Sequence, residues 1–244
     1  MKTKIPLLTL VTILFFSCSS DTDNVEENID TGNTGNQICK NPSAFIFNEK
    51  DNFILVEFEN NDFPTGWELK TNSSTTGKGY YVWTGNQSLG KPGSGLVEFK
   101  LNIKNPGVYR FLWSSAVTQG NSGSDHNDSW LKFPDADDFY GEKEGSKVYP
   151  KGTGKTPNPK GTSADGWFKI YRSGNNLDFK WQAATSDNDS HKIYVKFEKP
   201  GVYSMQVSAR SSGHGIDKFM LFNESYYTQN NAIQKTSFSE ITCN

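Results

Sequence analysis

Glu57 and Glu59 stand two residues apart in the stretch VEFE, a spacing that aims both carboxylates to one side of an extended backbone. Such a pair repels itself unless a cation lies between. It therefore reads either as a place for a hard, oxygen-seeking ion such as calcium or as two solvated charges at a strand end. The aromatic residues suggest a second chemistry. They make up 14% of the 244 residues and include six Trp, and several lie beside Gly, Asn, Asp or His rather than within apolar runs. Flat rings stack on the apolar faces of sugars, while amides, carboxylates and imidazoles hydrogen-bond the hydroxyls. Trp83 and Trp181, each running into a polar loop, read as sugar platform or as core, and His126 and His214 divide in the same way between ligand contact and structure. Trp113 reads as core, and His191, at the head of a strand, as structural. No G-x-S-x-G, H-E-x-x-H, P-loop or dinucleotide fingerprint occurs, no spacing singles out a Ser/His/Asp set, and 27 acidic residues nominate no acid pair. Binding is thus the stronger expectation, and catalysis the weaker.

The elements that must hold these residues are strands. Ile193, Val195 and Phe197 alternate with Tyr194, Lys196 and Glu198; after Pro200-Gly201, Tyr203, Met205, Val207 and Ala209 alternate with polar partners. This predicts a hairpin that empties into Arg210-Ser-Ser-Gly-His214-Gly and a last apolar run, Ile216 to Phe222. Val97, Phe99, Leu101 and Ile103 alternate likewise before Asn105-Pro106-Gly107, so NPGVY and KPGVY mark two related hairpins about 94 residues apart. In Tyr80-Tyr81-Val82-Trp83 the alternation buries either Tyr81 and Trp83 or Tyr80, but not all three on one side. Residues 135–165, with five lysines and no sustained period, read as a long insertion. Those lysines suit either a solvated loop or an anionic polysaccharide. No helical period persists, so the fold class is all-β, an antiparallel sandwich.

VEFE at 56–59, GYYVWTG at 79–85, HNDSW at 126–130 and above all PGVYSMQVSARSSGHGIDKFMLF at 200–222 resemble the carbohydrate-binding modules of families 6 and 35, which are galactose-binding-like jelly-roll sandwiches. The resemblance covers roughly residues 50–223. It implies that Glu57, Glu59 and Asp217 share a structural calcium. It also implies that Tyr81 or Trp83, together with Trp181, supply the aromatic sugar contacts. Where such modules carry an Asn before the last strand, this chain has Ser-Gly-His-Gly, so His214 would take its place and Arg210 would add a cation.

Residues 1–18 read as a secretion signal: Lys2 and Lys4, then an apolar stretch too short to span a bilayer. The sequence at Cys18 resembles the lipobox of bacterial lipoproteins, which implies lipidation of that cysteine, export, and a membrane contact through the lipid alone. Residues 19–38 have almost nothing apolar and read as a flexible acidic tether. Their acidic run resembles the signal that places some Bacteroidetes-type lipoproteins on the outer face of the outer membrane. Cys39 and Cys243 then stand at the two ends of a single domain, 39–244, and in an oxidising compartment are expected to pair. An acidic chain with formal charge −2 predicts no nucleic-acid partner. The function expected is non-catalytic polysaccharide binding at the cell surface, alongside glycan-degrading enzymes or a transporter. A small β-sandwich lyase or hydrolase and an adhesion or structural envelope protein are the alternatives.

Overall fold

The alternation read from the sequence is visible in the burial of single strands: Val97, Phe99, Leu101 and Ile103 are all buried, while Glu98, Lys100 and Asn102 between them are half-buried. A computed structural model describes residues 39–243. The secretion signal, Cys18 and the acidic segment lie outside the described residues.

A short 3-10 turn, Pro42–Ala44, precedes β1 (Phe45–Asn48), β2 (Phe53–Glu57), β3 (Trp67–Lys70), β4 (Tyr80–Trp83) and β5 (Val97–Ile103). The middle of the chain forms β6 (Gly107–Val117), β7 (Asp128–Lys132), β8 (Asp138–Lys143), β9 (Ser146–Val148), β10 (Ser163–Ala164) and β11 (Trp167–Tyr171). Then follow β12 (Lys180–Trp181), β13 (Ala184–Thr185), β14 (His191–Phe197), β15 (Gly201–Ala209), β16 (His214–Phe222), the one-turn α1 (Gln229–Ala232) and β17 (Ile241–Cys243).

Two layers emerge from the pairing. One runs β17-β1-β5-β15-β7-β11 and the other runs β16-β6-β14-β8-β9, with β2 and β4 sharing the free edge of β16. β13 bonds to both β11 and β14, so the hydrogen-bonded ladder curls from one layer into the other. Every pairing is antiparallel except β1 with β5. Rings from the two layers meet between them: Phe99 of β5 is 5.0 Å from Phe219 of β16, and Phe139 of β8 is 4.9 Å from Phe168 of β11. This is the all-β sandwich the alternation predicts.

The two Pro-Gly units are not hairpins. β5 pairs with β1 and β15, never with β6; β14 pairs with β6, β8 and β13, never with β15. Each Pro-Gly turn instead carries the chain across the core from one sheet to the other. Alternation is blind to this difference, because a strand facing the core shows the same period whether its successor lies beside it or opposite. The repeat is nonetheless structural. The first unit (β5, β6) pairs strand for strand with the second (β15, β14), and Tyr109 and Tyr203 each donate their hydroxyl to the carbonyl four residues back, Asn105 at 2.6 Å and Lys199 at 2.8 Å. Residues 135–165 also depart from the expected loop, since they contain the hairpin β8–β9, whose first strand adds to the second sheet beside β14. Cys39 and Cys243 are disulfide-bonded, as the sequence predicts, and the bond closes the end of β17 over the start of β1.

Candidate functional site

At the end of the sandwich opposite the Pro-Gly turns, the loops after β6, β11, β13 and β15 surround an open groove of about 950 Å³. Its floor is built where β7 begins and β15 ends. Asp128, the first residue of β7, is 4% exposed, and Arg210, just past β15, pairs with its Oδ2 through Nη1. The other carboxylate oxygen accepts from the hydroxyl of Ser211, whose backbone N–H donates to the Asp128 carbonyl at 3.2 Å. The guanidinium of Arg210 lies 5.4 Å from the ring centroid of Trp130, and that indole donates to the carbonyl of Ser88 at 2.9 Å. A buried carboxylate held by one cation and one hydroxyl is satisfied as it stands.

One wall comes from β11. Lys169 and Tyr171 alternate with the buried Phe168 and Ile170, so they face outward. Lys169 forms an ion pair with Asp187 and sits 5.5 Å from the Tyr171 ring centroid, and the Tyr171 hydroxyl donates to the Ser186 carbonyl at 3.2 Å. Burial, with the charges of Asp187 and Asp189 adding to it, pushes the Tyr171 hydroxyl pKa upward. The adjoining loop, 172–178, is pinned from inside by Arg172. This side chain is wholly buried and donates to the carbonyls of Leu177 and Asn176, while Asn127 Nδ2 reaches the Arg172 carbonyl at 2.6 Å. Leu89, 48% exposed, supplies an apolar face on the rim.

Of the six residues expected to touch sugar, the structure brings two to this groove, His126 and Arg210. His126 holds its place at φ +52° and bonds through Nδ1 to the Ser212 carbonyl at 2.7 Å. His214 is corrected to a core residue: it has no exposed surface, its Nδ1 lies 2.9 Å from Ser129 Oγ, and its ring meets Trp113 edge-on at 5.1 Å. Burial, reinforced by the charge of Arg172, lowers its pKa to about 3, so the imidazole is neutral. Trp83 is likewise core. A Cβ at Gly66, Gly85 or Gly95 would come within 2.6 Å of its ring, so three glycines close over it, and its indole donates to the Asn86 carbonyl at 2.9 Å. Tyr80 is buried too, on the opposite face of β4 against Phe179, so neither single-sided alternative for this strand holds. Tyr81 is half-buried and stacked on Phe63 at 3.6 Å, outside the groove. Trp181 lies in a separate hollow of about 370 Å³, beside Arg110, Gln182 and Lys192. Asp128, Lys169, Tyr171 and Asp187 are the groove residues that sequence reasoning missed. A polar residue opening an otherwise buried strand was the legible signal for Asp128, and outward alternation in WFKIY was the signal for Lys169 and Tyr171.

The three acidic residues expected at a metal gather around one loop. Glu57 Oε1 accepts from Thr76 Oγ1 at 2.6 Å, Glu59 Oε1 accepts from the Lys78 N–H at 2.6 Å, and Asp217 Oδ1 accepts from the Thr76 N–H at 3.2 Å. Asp217 occupies a bulge in the pairing of β16 with β6, between Ile216 and Lys218, and the bulge re-aims its side chain. Gly77, at φ +61°, lets the loop lie against the carboxylates, for a Cβ there would fall 2.0 Å from Glu59 Oε1. The second oxygens of Glu57 and Glu59 are buried with no hydrogen-bond partner among the described residues, and Lys218 Nζ stands 3.4 Å from Asp217 Oδ2. Burial is the leading cause that lifts the Glu57 pKa to about 7 and raises those of Glu59 and Asp217. Among the described residues, no three His, Cys, Asp or Glu side chains stand at metal-holding spacing.

No family model and no curated protein matches the chain. Solved structures do. A GH26-CBM35 β-(1,4)-mannanase from Podospora anserina aligns over 71% of this chain at 15% identity and a TM-score of 0.44. A CBM35 from Cellvibrio japonicus aligns over 70% at 13% identity and 0.38, and an isomalto-dextranase of Arthrobacter globiformis complexed with panose aligns over 70% at 14% and 0.38. The chain spans 28%, 93% and 23% of those three proteins, respectively.

Proposed function

We propose that this chain binds polysaccharide without cleaving it, in the groove between the loops after β6, β11, β13 and β15. The observation that carries the reading is the groove itself: an open hollow of about 950 Å³ with a polar lining, whose side chains are held in place by buried partners. Preorganised hydrogen-bonding groups beside an aromatic ring and an exposed leucine are what hydroxyl-rich rings with apolar faces require. Catalysis would need a carboxyl free to give or take a proton at a reacting bond. The buried groove carboxylate, Asp128, and the wall carboxylate, Asp187, are each engaged by a cation instead, which leaves Asp125 without a second free carboxyl to work with.

A calcium ion is part of the proposal. Glu57, Glu59 and Asp217 offer the hard oxygen donors it takes, and the orphaned, desolvated oxygens of the two glutamates are the observation that fits it. The three side chains would draw together on binding. The ion's work would be structural, joining β2, the 75–78 loop and β16. The proposal also keeps residues 1–18 as a lipoprotein signal, Cys18 as the lipidated residue and the outer cell surface as the location, with glycan-degrading enzymes or a transporter as neighbours.

Affinity electrophoresis against a panel of plant and marine polysaccharides tests the reading. Retardation by at least one of them, weakened about tenfold by Tyr171→Ala with the fold intact, is the expected result. Release of new reducing ends or unsaturated products from any of them would overturn the non-catalytic assignment.

A further inference from the structure

We infer that the groove takes a neutral glycan and excludes uronates and sulfated chains. This inference deepens the proposed polysaccharide site and rests on it. The cations that line the groove are Lys169 and Arg210, and each is already matched: Lys169 to Asp187, Arg210 to the buried Asp128. Asp125 lines the groove as a third carboxylate, so the charged side chains there are two cations against three anions. An anionic sugar entering would face that excess and would have to part an ion pair to gain a cation. Parting the Arg210 pair would strand Asp128, 4% exposed, without its counter-charge. The lysines of 135–165 do not alter the balance. None of them lines the groove, and Lys143, Lys147 and Lys155 are themselves paired, to Asp189, Glu142 and Asp138.

The same pairs suit a neutral polyol. Each sets a carboxylate acceptor beside an ammonium or guanidinium donor, so neighbouring hydroxyls of one sugar meet an acceptor and a donor in turn. Gln87, Asn175 and Asn188 on the walls add amides, which both give and accept. Recognition of this kind carries no net charge across the interface and is insensitive to ionic strength.

The test compares retention of the full chain by neutral galactomannan, xylan and mixed-linkage β-glucan with retention by polygalacturonate, alginate and carrageenan. Expected are binding to at least one neutral polymer, affinity constant within about twofold between low and high salt, and no retention by the anionic set. A second arm uses Asp187→Asn, which keeps the shape of the side chain but frees Lys169; with an unchanged melting temperature, it should gain retention by polygalacturonate of about tenfold. Failure to gain it would remove pairing as the cause of exclusion and overturn the inference. Groove-dependent binding of an anionic polymer by the unaltered chain would overturn the charge inference and leave the site standing. Binding left unchanged by Tyr171→Ala, or no binding to either set, would overturn the site reading and this inference with it.

Discussion

The groove floor and the carboxylate cluster are both buried and charged, yet they solve opposite problems. In the groove the two acids that build its floor and wall each have a cation, Asp128 with Arg210 and Asp187 with Lys169, while Asp125 stands on the rim. In the cluster, of the three acids Glu57, Glu59 and Asp217, Asp217 alone has an ion pair among the described residues, to Lys218, whose ammonium also donates to Thr76. A matched pair is complete as folded and presents polar atoms to a neutral ligand. An unmatched set raises its own pKa values by burial and by mutual repulsion, and it is relieved by a cation from outside. The difference teaches where a ligand's charge is to be sought: none in the groove, positive in the cluster.

Four experiments break or sharpen that contrast. The largest effect is expected from Arg210→Ala, which leaves Asp128 buried without its partner and should cost about 3–5 kcal/mol in a urea unfolding titration. A loss below about 1 kcal/mol would mean that the pair is solvated and the groove floor unmatched. Next is acid. His214, buried against Trp113, has a pKa lowered to about 3, so the unfolded chain takes its proton first as pH falls below about 6.5. The stability it preserves is complete above that pH and drains away toward pH 3, amounting to about 3 kcal/mol by pH 4.5. In His214→Gln that share of the slope should vanish; an unchanged slope would show that the imidazole is not buried neutral.

Calcium addresses the unmatched side. At a free concentration 100-fold above its dissociation constant it should stabilise the chain by about 2.7 kcal/mol, reversibly with chelator, and the gain should disappear in Glu57→Gln. A melting temperature indifferent to calcium and chelator would leave Lys218 as the cluster's cation. The smallest effect concerns the groove wall. Tyr171→Ala should weaken glycan retention about tenfold, near 1.4 kcal/mol, without altering the calcium response.

The contrast was only half legible in the sequence. Glu57 and Glu59 are two residues apart, so their convergence followed from strand geometry, and Asp217 followed from a family resemblance. Asp128 and Arg210 are 82 residues apart, and nothing local marks them as partners. Trp83 misled for a related reason: its polar neighbours in sequence suggested exposure, while the glycines that cover it come from positions 66, 85 and 95. His214 misled because a histidine between two glycines looks like a loop contact, whereas it begins β16 and packs on Trp113. The strands themselves were readable, since period-2 burial is a local property. What alternation could not report was the partner of each strand, and so the Pro-Gly units passed for hairpins.

The disulfide between Cys39 and Cys243 has a mechanical consequence. β1 lies between β17 and β5, and its start is covalently joined to the end of β17. Tension applied to the chain ahead of residue 39 therefore divides at the sulfurs, one branch entering β1 and the other entering the last strand from its far end. β1 cannot be drawn out alone, because the load that would peel it also pulls β17 against it. A domain hauled by its N-terminal side while gripping a polymer would resist as a closed loop, and reducing that one bond should lower the force at which it opens under an optical trap.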